Sequence, residues 1–454
     1  MRNNKPHCFN TILLLFASLL YMSLSSCKSS MTLKKTINQQ LVNDSIIKTG
    51  HVGFCLYDPQ TQQYLIDYNA AKNFIPASNT KLFTLYAGMK YLGDSLTGAF
   101  YKYSNDTLLI LPSGDPTLYS KDFNKHPVAE FIKNNKKKLV LLEPESKFKN
   151  YGKGWAWDDQ QESYMAQRSL MPVFENKIRI EWIKNNANTN GFQYDVSSMN
   201  TEPPLFSIEK NTDTSAKEHS IFRKANSNHY TITANNKTQV FTTEAPVETY
   251  GIDAAFKLIQ TISNQQLFVR KTSQGNLQQF KRIFSQSSDS LFKIMMRRSD
   301  NFYAEQVLLM AGNEKIGAFD DEKTISTLLQ EDFSDIPQKP KWVDGSGLSR
   351  YNLFSPKDMV YIIDKLMTTF GSARIENILP TGGEGTLKNM LVADSGFVFA
   401  KTGSLGNTYC LTGILKTLKG KQLYFSCMIN NYTGNVADVK KSIVKVIHTI
   451  RTEN

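Results

Sequence analysis

Residues 76–92 read PASNTKLFTLYAGMKYL. A proline stands just before apolar residues at helical spacing, and this pattern predicts a helix from about Ser78 to Leu92. Serine and lysine three positions apart lie on the same face of a helix. A hydroxyl becomes an effective nucleophile only when a base takes its proton, and Lys81 can be that base if burial and nearby cations lower its pKa. The stretch therefore predicts a nucleophilic Ser78 activated by Lys81.

Two later stretches carry related chemistry. Ser299-Asp300-Asn301 precedes a second helical pattern, although these residue types also suit a plain helix cap. Lys401-Thr402-Gly403 follows a predicted buried strand at 396–400. Each pattern alone is weak. The order of the three along the chain is more specific than any one of them. Ser-x-x-Lys also occurs at Ser45, Ser146, Ser207, Ser290 and Ser442.

The surrounding pattern predicts an α/β (α+β) domain whose sheet is built from both ends of the chain. Strands are expected at His51–Tyr57, Tyr64–Tyr68, Phe397–Ala400, Tyr409–Leu415 and Leu423–Ile429. Further helices are expected at 33–41, 246–262, 288–296, 301–311 and 436–450. Residues 96–245 contain short alternating strands and many Asn and Thr residues, which indicates an inserted strand-rich domain. Residues 33–95 and 246–454 would then form the other domain.

The first residues have the layout of an export signal. Arg2 and Lys5 precede an almost wholly apolar run from Ile12 to Tyr21, which suits a signal peptide over residues 1–26. The run closes on Leu-Ser-Ser-Cys, which resembles a bacterial lipoprotein cleavage box and implies a lipid on Cys27. Residues 27–32 would be a short tether. An ordinary signal peptide with a chance cysteine is the alternative.

Composition excludes several classes of function. The net charge is +12, but Lys and Arg are scattered, which favours a solvated basic surface over nucleic-acid binding. A basic exterior would also suit an anionic cell-wall polymer. Beyond Cys27 only Cys55, Cys410 and Cys427 remain, an odd number that provides no complete disulfide framework. No Cys/His spacing suggests a metal site.

Four further runs are similar to segments of one known family. They are SGDPTL (113–118), GWAWDD (154–159), DGSGLSRYNL (344–353) and GTLK (385–388). With the three ordered motifs they resemble the peptidase S13 family, the class C low-molecular-weight penicillin-binding proteins with D-alanyl-D-alanine carboxypeptidase and endopeptidase activity. The resemblance covers nearly the whole chain from about residue 33. It implies a transpeptidase-like, serine β-lactamase-related domain with an antiparallel sheet flanked by helices, peptidoglycan stem peptides and β-lactams as ligands, and no cofactor.

The resemblance also implies a role for each motif residue. Ser78 would attack the carbonyl of the penultimate D-alanine and form an acyl-enzyme, while Lys81 takes its proton. Ser299 would relay a proton to the leaving amine, and Asn301 would hydrogen-bond the substrate amide. Lys401 would supply positive potential.

The strand that carries Lys401 would complete the site. Thr402 and Ser404 would contact the substrate carboxylate or backbone, and Gly403 would leave the strand edge open for close approach. The backbone N–H groups of Ser78 and Ser404 would form the oxyanion hole. The family often has a polar residue where this chain has Gly406, so that part of the substrate contact differs here.

Two charged residues are candidates for substrate specificity. Arg350 could bind a carboxylate through two parallel hydrogen bonds. Asp159 could receive the free amine of a diamino acid in the stem peptide. An ordinary surface ion pair is the alternative for each.

Three other functions compete with the carboxypeptidase. A Ser-His-Asp hydrolase is disfavoured because none of the six histidines lies in a convincing motif and no Gly-x-Ser-x-Gly is present. A serine β-lactamase shares the acylation chemistry, but the expected insert and the 344–353 run argue against it. A non-enzymatic, wall-binding lipoprotein is disfavoured because every motif residue is present.

Overall fold

The computed structural model describes residues 35, 40, 43–45, 47–184, 190–194, 205–212, 219–234, 240–273 and 277–453. The expected signal peptide, the tether with Cys27, and the residues that predict the first helix (Leu33, Ile37 and Leu41) lie outside these residues. Among the described residues, no helix is both long and apolar enough to cross a membrane.

The strands, numbered along the chain, are β1 (His51–Asp58), β2 (Gln63–Tyr68), β3 (Ser95–Ser104), β4 (Thr107–Pro112), β5 (Lys138–Pro144), β6 (Lys177–Lys184), β7 (Asn190–Tyr194), β8 (Ser207–Thr212), β9 (Ser220–Arg223), β10 (His229–Ala234), β11 (Val240–Pro246), β12 (Leu267–Thr272), β13 (Lys281–Ser287), β14 (Val398–Leu405), β15 (Thr408–Lys416) and β16 (Gln422–Asn430). The α-helices are α1 (Lys81–Tyr91), α2 (Pro127–Asn134), α3 (Asp253–Ser263), α4 (Ser288–Ile294), α5 (Asn301–Ile316), α6 (Asp321–Glu331), α7 (Pro356–Phe370), α8 (Ser372–Ile378) and α9 (Val436–Glu453). The chain divides into two units, one of Met1–Pro76, Phe354–Thr368 and Pro380–Asn454, the other of Ala77–Leu353 and Thr369–Leu379.

The first unit is built on an antiparallel sheet with strand order β14-β15-β16-β1-β2. The two ends of the chain meet in it, since Phe54 of β1 lies opposite Cys427 of β16. Helix α9 packs its apolar residues, spaced three or four apart, into the same core as the sheet. These buried residues are Val439, Ile443, Val446, Ile447 and Ile450.

In the second unit, α1 is surrounded by other elements. Nearly every residue of α1 is buried, as expected of a helix in the middle of a core. A Cβ atom at Gly88 would lie 2.7 Å from side-chain atoms of both Phe292 and Val307. The missing side chain at Gly88 therefore lets α4 and α5 approach α1 closely. The helix that follows Ser78 and the helix that begins at Asn301 therefore pack directly against each other.

The second unit also contains the described strands between β3 and β13. A five-stranded mixed sheet has the order β12-β5-β4-β3-β13, and two three-stranded sheets have the orders β8-β10-β9 and β11-β6-β7. The five-stranded sheet joins β3–β5, from the stretch expected as an insert, to β12 and β13 beyond residue 245. The expected domain boundaries stay a prediction.

Most of the expected elements are confirmed, including the five strands of the first unit and the terminal helix. The helix expected at 246–262 is wrong in its first half. Residues up to Pro246 belong to β11, and α3 begins only at Asp253. Tyr250 and Gly251 have φ values of +47° and +72°, and this left-handed turn prevents an earlier helix start.

Candidate active site

The Ser78 motif begins with a strained turn. Ala77 has a φ of +48°, and Ala77–Thr80 form a 3-10 turn that leads directly into α1. A left-handed conformation costs a non-glycine residue roughly 1–2 kcal/mol. The Ala77 carbonyl accepts a hydrogen bond from Thr80 Oγ1 at 2.9 Å. Gly347 covers the same carbonyl so closely that a Cβ there would lie 1.9 Å from the oxygen. The turn that presents Ser78 is therefore held from both sides.

Lys81 is fully buried, and its amine has three oxygen partners. Nζ lies 2.9 Å from Ser78 Oγ, 2.7 Å from Asn301 Oδ1 and 2.6 Å from the Ser346 carbonyl oxygen. The amide and carbonyl oxygens can only accept hydrogen bonds. A neutral Lys81 would give its two hydrogens to them, and its lone pair would then face the Ser78 hydroxyl. The geometry therefore suits proton transfer from Ser78 to Lys81.

Burial is what makes Lys81 a usable base. It lowers the pKa of Lys81 to about 8, although the acidic side chains of Asp344, Asp300 and Glu305 act to raise it. The largest charge contributions at Lys81 come from acidic side chains, so burial accounts for the lowered pKa and the expected contribution of nearby cations stays a prediction. A lysine with this pKa is partly neutral near neutral pH.

Asn301, the first residue of α5, has its amide oriented by a main-chain group. Its Nδ2 donates to the Tyr164 carbonyl at 3.2 Å, and this leaves Oδ1 directed at Lys81. Ser299 lies two residues earlier, is half-buried, and has a left-handed φ of +61°. The structure thus brings Ser78, Lys81 and Asn301 together and places Ser299 at the start of α5.

Asp344, for which the sequence predicted no role, organises the Gly-rich run beside Lys81. Oδ1 accepts hydrogen bonds from Gly347 N and Asn352 Nδ2, both at 2.8 Å or less. Oδ2 accepts from Ser349 N at 2.7 Å and from Trp155 Nε1 at 2.9 Å. Four donors around one buried carboxylate fix the loop that carries the Ser346 carbonyl.

Glu305 fixes the same loop from α5. Its Oε1 accepts from Ser346 N at 2.7 Å, and Oε2 lies 3.2 Å from the buried Arg168 guanidinium. Arg168 also pairs with Asp321 at 2.6 Å. Burial and the nearby Asp344 raise the pKa of Glu305, while Arg168 opposes them. Two features of the sequence could have pointed to Asp344 and Glu305. They are the glycines of the 344–353 run and the position of a glutamate one helical turn after Asn301.

Asp159 and Arg350 also belong to the second unit. Asp159 is half-buried in a 3-10 turn, and Tyr164 forms a side-chain hydrogen bond with it. Burial and this bond to Asp159 raise the pKa of Tyr164 to about 12. Arg350 is exposed and follows Ser349 in the loop held by Asp344. Asp159 therefore contacts Tyr164, and the Tyr164 carbonyl orients the side chain of Asn301.

The Lys401 motif belongs to the first unit, on β14 at the edge of the sheet. Lys401 is buried, and its Nζ donates to the Thr402 carbonyl at 2.7 Å. Gly403 is buried and Ser404 is exposed. Gly406 lies in the two-residue connection to β15, because Leu405 pairs with Thr408.

Comparison with known proteins identifies the family of this chain. Residues 33–452 match the model of the D-Ala-D-Ala carboxypeptidase 3 (S13) family. The chain is 26% identical over 450 residues to penicillin-sensitive carboxypeptidase A of Dictyostelium discoideum, which covers 86% of this chain and 85% of the relative. It is 25% identical over 447 residues to D-alanyl-D-alanine carboxypeptidase DacB of Haemophilus influenzae, which covers 89% of this chain and 91% of the relative.

A solved structure supports the fold. The crystal structure of penicillin binding protein 4 (dacB) from Haemophilus influenzae superposes with a TM-score of 0.70 at 21% identity, over 92% of this chain and 98% of that one. The mixed fold, the family and the carboxypeptidase class expected from the sequence are confirmed. With motif, fold and family model in agreement over nearly the whole chain, this protein belongs to the D-Ala-D-Ala carboxypeptidase 3 (S13) family.

Proposed function

We propose that this protein cleaves D-alanyl peptide bonds of peptidoglycan stem peptides through an acyl-enzyme on Ser78. The observation that supports this most directly is the buried amine of Lys81 at 2.9 Å from the Ser78 hydroxyl. Its other two partners are acceptors, so the neutral amine has its lone pair available for the hydroxyl proton. β-Lactams would acylate the same hydroxyl.

The reaction proceeds in two halves. Ser78 Oγ attacks the carbonyl carbon of the penultimate D-alanine while Lys81 takes the hydroxyl proton. The C–N bond then breaks as the proton held by Lys81 passes through the Ser299 hydroxyl to the leaving amine. Water next attacks the ester and restores Ser78. The leaving group decides the activity: a terminal D-alanine makes the reaction a carboxypeptidase step, and a cross-linked side-chain amine makes it an endopeptidase step.

Other residues recognise the substrate. Asn301 hydrogen-bonds the substrate amide through the nitrogen of its side chain. Lys401, with Thr402 and Ser404, recognises the substrate carboxylate or backbone. Arg350 and Asp159, both on the second unit, contact the rest of the stem peptide, with Asp159 accepting the amine of a diamino acid.

We also propose that the protein is exported and held at a membrane by a lipid on Cys27. The support is the sequence of residues 1–27 and the cell-wall substrate of the family. Labelled fatty acid should be incorporated into the wild-type protein in cells and not into Cys27→Ala. Incorporation that survives this change would contradict the anchor.

Digestion of purified peptidoglycan tests the proposed activity. The wild-type protein should release terminal D-alanine, cleaved cross-links or both, and mass spectrometry of the products gives their ratio. Ser78→Ala should release neither. If folded, unlabelled wild-type protein leaves the muropeptides unchanged, a non-enzymatic role in the wall is favoured. Rapid penicillin turnover without D-alanine release would argue for a β-lactamase.

A further inference from the structure

Ser299 occupies a conformation that its surroundings must maintain. Its φ is +61°, and it closes the π-helical turn Met295–Ser299 immediately before α5. A left-handed conformation is unfavourable for a residue other than glycine, so the turn persists only where neighbouring groups hold it. The residues on either side of Ser299 are both held by charged contacts.

Arg298, just before Ser299, makes the first of these contacts. Its guanidinium donates two parallel hydrogen bonds to Asp122, from Nη1 to Oδ1 at 2.8 Å and from Nη2 to Oδ2 at 2.6 Å. Nε and Nη2 also donate to Asp300 Oδ2 at 3.3 Å and 3.1 Å. The two neighbours of Ser299 are thus joined to each other, and Asp122 holds the guanidinium that joins them.

Tyr303, within the first turn of α5, closes the network. Its hydroxyl donates to Asp122 Oδ2 at 2.7 Å, and its backbone N–H donates to Asp300 Oδ1 at 2.9 Å. Arg298, Asp122, Tyr303 and Asp300 therefore form a closed ring of contacts that includes both sequence neighbours of Ser299. Burial opposes the charge on Asp122, but hydrogen bonds from Arg298 and Tyr303 hold the pKa of its carboxyl below the usual range.

Asp122 is itself fixed from outside the ring. Its backbone N–H donates to Ser120 Oγ at 3.2 Å, and Ser120 Oγ lies 2.6 Å from the Tyr303 hydroxyl. Ser120 Oγ also donates to the buried Glu175 at 2.9 Å. Glu175 is the middle of three successive residues with left-handed φ, Phe174 to Asn176. Ser120 thus links Asp122 and Tyr303 to the buried Glu175.

We propose that Asp122 is a positioning residue that holds Ser299 and Asn301 in the orientation the reaction needs. The inference rests on the proposed function, because it assigns Asp122 an effect on catalysis through Ser299. Asp122 is separated from Ser299 by a large stretch of sequence and belongs to none of the three motifs. Its loss opens the ring, and the left-handed turn at Ser299 relaxes toward ordinary φ values.

A matched control for Asp122 is Glu314, which lies on α5, the helix that follows Ser299. Near the other end of α5, Glu314 receives a similar two-bond contact from Arg282, with Nη2 to Oε2 at 2.9 Å. Side-chain exposures are 40% and 18% for Arg282 and Glu314, and 41% and 15% for Arg298 and Asp122. Glu314→Ala therefore removes an equivalent ion pair that is remote from Ser299.

The test compares kcat and KM for a D-Ala-D-Ala peptide with the amount of penicillin label per protein. Asp122→Ala should lower kcat by about tenfold to a hundredfold and leave KM and the final label within about twofold of wild type. Asp122→Asn keeps an acceptor for Tyr303 but loses the charge, and should lie between. Glu314→Ala should match wild type. If Asp122→Ala fails to fold, Asp122→Asn decides alone.

Three outcomes overturn the proposal: kcat of the Asp122 variants within about twofold of wild type, a loss of kcat only in proportion to lost label, or an equal loss in Glu314→Ala. The first outcome would mean that Asp122 has no effect on the reaction. The other two reveal a general loss of folded protein. Failure of the proposed function looks different, since the wild-type protein would itself release no D-alanine from the peptide.

Discussion

The Ser346 carbonyl accepts a hydrogen bond from the Lys81 amine at 2.6 Å, across 265 positions of sequence. This bond ties the base to a loop that is itself held by Asp344 and Glu305. Together with Asn301 Oδ1, the carbonyl occupies two of the three directions in which Lys81 can form hydrogen bonds. Only the third direction, toward Ser78, is left for a proton to be taken up. The acidity of Lys81 and the geometry of this loop are therefore coupled.

The acylation rate should depend on pH through Lys81. Because its pKa is about 8, the rate should rise about tenfold per pH unit below that value and level off above it. The sign follows from the need for a neutral amine, which only deprotonation supplies. The measurement is the rate of acylation by a fluorescent penicillin from about pH 6 to about pH 10. A rate that stays constant between about pH 6 and about pH 8 would contradict the role of Lys81 as the base.

Glu305→Gln should move this pH dependence to lower pH. The charge of Glu305 raises the pKa of Lys81, so its removal lowers that pKa, by roughly half a unit. Glutamine keeps an acceptor for Ser346 N. Glu314→Gln, further along the same helix, is the control and should leave the profile in place. A shift to higher pH in Glu305→Gln would show that loop movement, and not charge, dominates.

Gly347→Ala should damage both stability and acylation. Its Cβ would lie 1.9 Å from the Ala77 carbonyl at a φ of +83°, so the Ser78 turn must move. We expect a loss of about 3 kcal/mol in the free energy of unfolding and a much slower acylation. Gly93, just after α1, has a φ of +68° and open space around it. Gly93→Ala should cost about 1 kcal/mol and leave acylation unchanged.

Thermal unfolding and labelling rate measured on both glycine variants separate these effects. Equal behaviour of the two would mean that backbone conformation alone matters at residue 347. The contact of Gly347 with Ala77 would then have no role in presenting Ser78.

Asp159→Asn should weaken binding of stem peptides that carry a free side-chain amine. Loss of one charge-assisted hydrogen bond should raise KM roughly tenfold for such peptides. Peptides without the amine and penicillin itself should react as with wild type. Asp158→Asn changes the neighbouring carboxylate and is the control. Steady-state kinetics on two peptides that differ only in the amine test this role. An equal rise in KM for both peptides would show that Asp159 does not recognise the amine.

The parts of the site predicted from sequence are those that local spacing determines. Ser78 and Lys81 lie within one helical turn, and Asn301 begins a helix. Local sequence patterns were therefore sufficient to predict these three site residues. The partners Asp344 and Glu305 were not, because they act through contacts such as Trp155 to Asp344, 189 positions apart. Such contacts leave no periodic pattern in the sequence.

Backbone strain was equally hidden. Ala77 precedes the first motif and Ser299 begins the second, and both have a left-handed φ that their residue types do not predict. The start expected for the helix at residue 246 was also wrong. A left-handed turn at Tyr250 and Gly251 delays the start of this helix to Asp253. At Ala77 and Ser299, contacts with distant residues maintain a conformation that the residue type does not favour.

Intact-mass analysis after treatment with a fluorescent penicillin tests the central claim most directly. Wild-type protein should gain one adduct, and peptide mapping should place it on Ser78. Ser78→Ala should gain none, and Lys81→Ala should react about 10² to 10⁴ times more slowly. An adduct on another residue, or full labelling of Ser78→Ala, would contradict the assignment of Ser78 as the nucleophile.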